Sequence, residues 1–202
     1  MNGTTPKLYG LVLGGGKSIR MGQDKRFLKY HENSQQEYMY TLLSEVCDKA
    51  FLSVRHDQIS SEEEKLNLIV DENKYEGPFN GILSAHAKFP DVAWLVLACD
   101  LPLINKETLE KLIKGRRPEL NATSLAAQKT NIPEPMITIW EPNGLKRAET
   151  YLITDQNSGV RRFLVNSKIA LVHPDMDDVL FNANSKEDFE VAKNQLKVIA
   201  NG

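Results

Sequence analysis

Cysteine is scarce in this 202-residue chain, and what is missing narrows the field before any motif is read. Cys47 and Cys99 lack a paired spacing, so neither a disulfide framework nor a cysteine zinc site is expected, and both read as small hydrophobes in a reduced compartment. The opening MNGTTPKLYG has no apolar core of the kind a secretory signal needs, and no stretch approaches the length of a membrane span. A cytoplasmic protein is expected, without nucleic acid or membrane as partner. A net charge of −2 offers no overall basic field, so any anion site must be local. The four histidines, His31, His56, His86 and His173, are scattered, and no Ser–His or His–carboxylate arrangement stands out. Repeats, low-complexity tracts and linkers are also missing. One domain over residues 1–202, with its core at about 8–195, is the expectation.

What is present has an alternating rhythm. Short apolar, β-rich runs occur at 8–13, 50–54, 66–70, 92–99, 122–127, 135–140 and 169–173. Helix-like stretches lie between most of them, at 36–47, 78–89, 105–114, 143–153 and 185–198. This rhythm predicts an α/β fold, a largely parallel, Rossmann-like sheet covered by helices in a three-layer αβα sandwich. VAWLVLAC (92–99) is the most continuous run and reads as a central strand buried on both faces. Ligands of such sheets bind beyond the carboxyl ends of the strands, which singles out three loops: 14–26, 71–81 and 100–104.

The first loop, GGGKSIRMGQDKR (14–26), fails both familiar phosphate patterns. A P-loop needs glycine where Leu11 stands, and the dinucleotide fingerprint started at Gly14 needs glycine where Ile19 stands. The shared physics survives, because bare glycines let backbone N–H groups approach a phosphate and form an anion nest. Lys17, Arg20, Lys25 and Arg26 follow, and unit charges 4 Å apart attract by about 4 kcal/mol at an effective dielectric of 20. A few such cations neutralise most of a triphosphate. A glycine-rich turn with ordinary surface cations remains the alternative. In the second loop, Pro78 suits the first turn of a helix after Gly77. Gly81 inside that helix costs about 1 kcal/mol relative to alanine, which either tight packing or a closely approaching ligand explains. In the third, Asp100 emerges directly after the buried strand and Pro102 stops its extension. A carboxylate facing a triphosphate needs a divalent cation between them, and Mg²⁺ takes hard oxygen ligands and substrate phosphates. The alternative, a cap on the next helix, is met more simply by Asn105.

LVLGGGKSIRMGQDK resembles the L-x-G-G-x-x-x-R-M-G-x-x-K signature of the molybdenum cofactor guanylyltransferases and their nucleotidyltransferase relatives, with Gly14 where alanine is more usual. VDENKYEGPFNGI (70–82), the C-D-x-P form at 99–102, IPEPMITIWEP (132–142) and LFNANSKEDFE (180–190) extend the resemblance over about residues 8 to 195. Ser185-Lys186 replaces the usual Thr-Pro there.

The resemblance implies a nucleotidyltransferase that joins GMP from GTP to molybdopterin and releases pyrophosphate. It implies nucleotide contacts from Leu13, Gly14, Gly15, Gly16, Lys25, Asp71, Gly77, Gly81 and Asp100. Arg20, Lys25 and Asp100 would be catalytic, Asp100 would hold Mg²⁺, and Asn182 and Asn184 would lie near the acceptor, Asn184 also near the metal. Arg161 and Arg162 either meet the acceptor's phosphate or decorate the surface. Transient contacts with proteins that supply or receive the cofactor are expected. The same machinery would serve a molybdopterin cytidylyltransferase or a sugar- or alcohol-phosphate nucleotidyltransferase. A nucleotide-binding regulator without catalysis is the reading from another class.

Overall fold

The computed structural model describes residues 4–14, 25–59, 65–154 and 159–200. Seven strands form one sheet: β1 (Leu8–Leu13), β2 (Lys49–Val54), β3 (Leu68–Val70), β4 (Ala93–Ala98), β5 (Ala122–Ala126), β6 (Pro133–Trp140) and β7 (Ile169–Val172). Their spatial order is β3-β2-β1-β4-β6-β5-β7. Six helices accompany them: α1 (Gln35–Val46), α2 (Pro78–Lys88), α3 (Lys106–Lys114), α4 (Pro142–Thr154), α5 (Val160–Val165) and α6 (Lys186–Ala200). Every predicted strand and helix is found, with shifts of a residue or two at the ends.

β4 occupies the centre, as its unbroken apolar run predicts, and all six of its residues are buried. Alternation along the strand divides them between two cores. Ala93, Leu95 and Leu97 join α1 residues such as Met39 and Leu43 and α3 residues Leu109 and Leu112. Trp94 and Val96 face the other way, toward Phe79 and Ile82 of α2, Leu145 of α4 and Phe163 of α5. The result is three layers, helices over each face of the sheet.

β1 pairs in parallel with both β2 and β4. The chain moves outward from β1 through α1 to β2, then returns through α2 to β4 on the other side. This reversal between β1 and β4 makes a topological switch point, where a crevice opens at the carboxyl ends of the strands. The sheet is not parallel throughout. β6 runs antiparallel between β4 and β5, so its beginning, not its end, lies at the crevice edge.

The opposite edge is tied by a buried ion pair. Arg116 donates from Nε to Glu141 Oε1 at 2.7 Å and from Nη2 to Glu141 Oε2 at 2.9 Å, and Nη2 also reaches Pro6 O at 3.0 Å. The two side chains are 10% and 1% exposed. Removing one partner leaves the other charge desolvated, which costs about 3–5 kcal/mol. Arg116→Ala should therefore lower the unfolding midpoint by roughly 6–20 °C; thermal and urea unfolding measure it, and an unchanged urea slope would show that the loss is one of native stability.

Candidate active site

Three strand ends, those of β1, β3 and β4, line the carboxyl edge of the sheet, with β2 between β3 and β1. At the end of β1, Leu13 is half-buried and the Gly14 amide donates to Ser53 O on β2 at 3.1 Å. Gly15, Gly16 and Arg20 lie outside the described residues, as does the side chain of Lys25, whose backbone opens a short 3₁₀ turn, Lys25–Phe27. Arg26, next in sequence, is only 6% exposed, with its aliphatic stem against Gly14 and its guanidinium over the Phe27 ring. The sequence places it in a run of cations and gives no sign that it turns inward.

At the end of β3, Asp71 is almost wholly buried. Ser53 Oγ donates to its Oδ1 at 2.6 Å. Burial pushes the carboxyl above the usual range, opposed by hydrogen bonds from Ser53 and Asn80 and by the positive charge of Arg55. The loop behind it is secured to α2: Ser84 Oγ accepts from the Glu72 amide at 2.9 Å and donates to Asn80 O at 2.7 Å. Asn80 Oδ1 accepts from the Tyr75 amide at 3.3 Å. Gly77 enters the helix at φ 61° and ψ −150°, a conformation essentially reserved for glycine, and Pro78 takes the first turn as predicted. A Cβ on Gly81 would strike Ser53 Oγ and the Leu13 side chain. Of the two explanations left by the sequence, close packing of α2 on β1 and β2 is the one with contacts behind it.

At the end of β4, Asp100 leads into a loop held from several sides. The Ala183 amide donates to the Asp100 backbone carbonyl at 2.8 Å, which fastens the asparagine segment to the backbone of the residue whose side chain is the predicted metal ligand. His31 Nε2 lies 3.1 Å from Pro102 O, its ring stacks on Tyr38 with centroids 3.6 Å apart, and the Tyr38 hydroxyl donates to Ile104 O. Asn105 caps α3 by accepting from the Thr108 amide at 3.0 Å, so Asp100 is not needed as a cap. A small satellite core of Tyr30, Leu103, Ala183 and Ala192, with Phe181 and Phe189 beside it, packs α6 beneath this loop. Burial first, then the negative charges of Asp100 and Asp188, push the Tyr30 phenol up to about 12.

The predicted acceptor residues stand beside Asp100 in the chain path, with their backbone and amide groups partly used locally. Asn182 Nδ2 donates to Leu180 O at 3.0 Å. The Asn184 and Ser185 amides both donate to Asp188 Oδ2, at 2.8 and 2.9 Å, while Ser185 Oγ accepts from the Asp188 amide at 3.1 Å. Serine thus caps α6 despite replacing the usual threonine. Two residues that the sequence did not bring together complete the edge. Glu134, at the start of β6, accepts from Arg161 Nη2 at 3.2 Å. Burial raises the Glu134 carboxyl and the nearby Asp100 charge raises it further, against the Met136 amide and Arg161, which lower it.

Residues 10–199 match the family described as the MobA-like NTP transferase domain. The chain belongs to this family. It is therefore a nucleotidyltransferase, with the αβα sheet expected of one. A molybdenum cofactor biosynthesis bifunctional protein of Synechocystis sp. is 38% identical over 187 residues, 90% of this chain and 52% of that protein. The nucleotidyltransferase chain thus spans about half of that relative's length. A molybdenum cofactor guanylyltransferase of Campylobacter jejuni subsp. doylei is 25% identical over 190 residues, covering 93% of this chain and 96% of the relative. The crystal structure of molybdopterin-guanine dinucleotide biosynthesis protein A from Archaeoglobus fulgidus superimposes with a TM-score of 0.77 at 19% identity, covering 94% of this chain and 98% of that one. No helix among the described residues of the nucleotidyltransferase is long and apolar enough to cross a membrane.

Burial lowers the His31 and His86 pKa values below 6.5, with the Pro102 carbonyl opposing the shift for His31 and Glu149 for His86. Because both titrate lower when folded, their contribution to stability is complete above about pH 6.5 and is lost as the pH falls below it. Urea unfolding should give a midpoint that declines from pH 7.5 to pH 5, and His31→Gln should make that decline shallower; an equal decline in wild type and variant would remove His31 from the account.

Proposed function

We propose that the chain transfers GMP from GTP to molybdopterin, forming molybdopterin guanine dinucleotide and pyrophosphate. The observation that carries this reading is the Ala183–Asp100 hydrogen bond. It seats the asparagine segment, offered to the acceptor, against the one aspartate that closes the central strand, on the crevice where β1 hands over to its glycine loop. The names of the molybdenum cofactor guanylyltransferase relatives agree with the reading.

The reaction is in-line displacement. An oxygen of the molybdopterin phosphomonoester attacks the α-phosphorus of GTP, a P–O bond forms, and the bond to the β-phosphate breaks with its electrons leaving on pyrophosphate. The nucleophile is already ionised at neutral pH, so no general base is required, which suits a crevice where no described histidine is paired with a carboxylate. Arg20 and Lys25 stabilise the charge gathering on the departing pyrophosphate. Gly14, Gly15 and Gly16 allow backbone amides to approach the triphosphate, and Leu13 joins them in binding the nucleotide.

The donor set fits Mg²⁺. Asp100 offers hard carboxylate oxygen at the mouth of the crevice, and among the described residues no group of three or more His, Cys, Asp or Glu could hold a metal ion. One carboxylate completed by substrate phosphates is a usual magnesium arrangement. Asp100, with Asn184 nearby, would hold the ion, which supplies charge neutralisation on the polyphosphate. Asp71 and the Gly77–Gly81 turn border the nucleotide side of the crevice, and the Asp71 carboxylate, anchored by Ser53 and Asn80, is fixed in place to accept a hydrogen bond from the nucleotide.

Positioning and electrostatics therefore supply the rate, with each well-aimed charged contact lowering the barrier by about 3–4 kcal/mol. Asp100→Ala and Lys25→Ala should each lower turnover by roughly two to three orders of magnitude while circular dichroism and the unfolding midpoint stay near wild type; near-normal rates from both would remove them from the mechanism. Pyrophosphate release measured with each of the four nucleoside triphosphates, Mg²⁺ and molybdopterin should single out GTP. A preference for CTP would make the chain a cytidylyltransferase, and tight GTP binding without pyrophosphate release from any acceptor would make it a regulator.

A further inference from the structure

Glu134 and the predicted metal ligand Asp100 each lie three residues beyond the last pair of the β4–β6 ladder. β4 and β6 pair antiparallel, with Leu97 opposite Ile137. Three residues onward from Leu97 is Asp100, and three residues back from Ile137 is Glu134. The two side chains are near enough for the Asp100 charge to act on the Glu134 carboxyl. A second acid near a phosphate-facing aspartate works against anion binding unless it serves another group.

The backbone around Glu134 is held with unusual expense. Thr138 Oγ1 donates to Glu134 O at 2.8 Å and Ser124 Oγ lies 3.2 Å from the same carbonyl, while the two hydroxyls meet each other at 2.8 Å. Both Ser124 and Thr138 are wholly buried. The β5–β6 ladder shifts register between Ser124 and Ala126, the kind of irregularity that re-aims a side chain beside a functional site. The Met136 amide then donates to Glu134 Oε1 at 3.2 Å. The carboxylate is thus fixed, and its side chain is 13% exposed, whereas that of its partner Arg161 is 59% exposed. The contact occupies one of the five N–H donors of the guanidinium. Arg161 stands on α5, whose Phe163 stacks on Trp140 of β6 at 5.9 Å and meets Phe79 edge-on at 6.2 Å. A short helix held by aromatic rings and a fixed carboxylate together confine an otherwise exposed cation to the Asp100 side of the crevice.

We propose that Glu134 is a positioning residue, which holds Arg161 at the edge beside Asp100 so that its remaining donors receive the phosphomonoester of the acceptor. The proposal rests on the reaction described above. Glu134 touches no substrate, and its whole effect passes through Arg161.

The test is the acceptor dependence of turnover at saturating GTP and Mg²⁺, in E134A, E134Q, R161A and the double variants. E134A should raise the KM for molybdopterin about fivefold to tenfold, the size of one ordinary lost hydrogen bond. E134Q, which keeps the shape and an accepting oxygen, should fall between E134A and wild type. The KM for GTP and kcat should stay within about twofold. R161A should raise the same KM at least as far, and adding either Glu134 substitution to R161A should change it no further. A merely structural glutamate would move both KM values together, or add its effect to that of R161A. Either result, or an unmoved acceptor KM, overturns the proposal, and E134Q decides the matter should E134A fail to fold. Wild-type protein that releases no pyrophosphate with GTP and molybdopterin overturns the function and this proposal with it. Wild-type activity with indifferent variants overturns the proposal alone.

Discussion

Six consecutive buried residues, Ala93 to Ala98, set the terms for everything around them. A strand that buries both faces must be flanked by strands on each side and by a layer of helices above and below, since each exposed face would forfeit about 25 cal/mol for every Å² of apolar surface left in water. That requirement brings α1 and α3 to one face and α2, α4 and α5 to the other. The strand ends at Ala98, and the chain then carries Asp100 past the carboxyl end of the sheet beside the end of β1.

Around that edge the protein accepts buried polarity that its centre avoids. Ser53, Asp71, Asn80 and Ser84 form one linked group, and Ser124, Thr138 and the Glu134 carbonyl form another. Groups of this kind add little net stability, because each hydrogen bond replaces one to water, but leaving any member unpaired costs about 1–3 kcal/mol. They act as locks. A side chain that depends on two or three partners has few alternatives to its observed position, which is what a site working by placement of charges requires.

The linear order of residues reveals the centre of this molecule better than its rim. The run at 92–99, the glycine loop, and the aspartate before Pro102 are each local patterns, readable because one strand, one turn or one loop contains them. The direction of β6 is not local. Its apolar run would look the same parallel or antiparallel, and only its insertion beside β4 places its first residues at the crevice. Glu134 is invisible for that reason: a lone glutamate between two prolines acquires meaning from Arg161 and from its nearness to Asp100, both distant in sequence. His31 and Tyr38 escape notice similarly, since their stacked rings brace a loop about seventy residues further along the chain. Arg26 was hidden by its neighbours, one cation in a run of four whose spacing does not single out the one that turns inward. Gly81 was ambiguous until Ser53 and Leu13 were seen to fill the space a methyl group would need.

The distribution of apolar contact has a consequence for how the site holds together. Two large cores grip the sheet, but the segments bordering the acceptor side share a third, small one, built from Tyr30, Leu103, Ala183 and Ala192. Residues after the glycine loop, the loop after β4 and the asparagine segment all contribute to it, with α6 closing it from outside. Few buried side chains mean a low local opening free energy relative to the whole fold. The Ala183–Asp100 hydrogen bond joins this smaller cluster to the chain just past the end of the fully buried central strand. The placement of the asparagines thus depends on a modest cluster of contacts, whereas Asp100 follows directly on a strand gripped by both large cores, so the two segments joined by that hydrogen bond are held by very different amounts of packing.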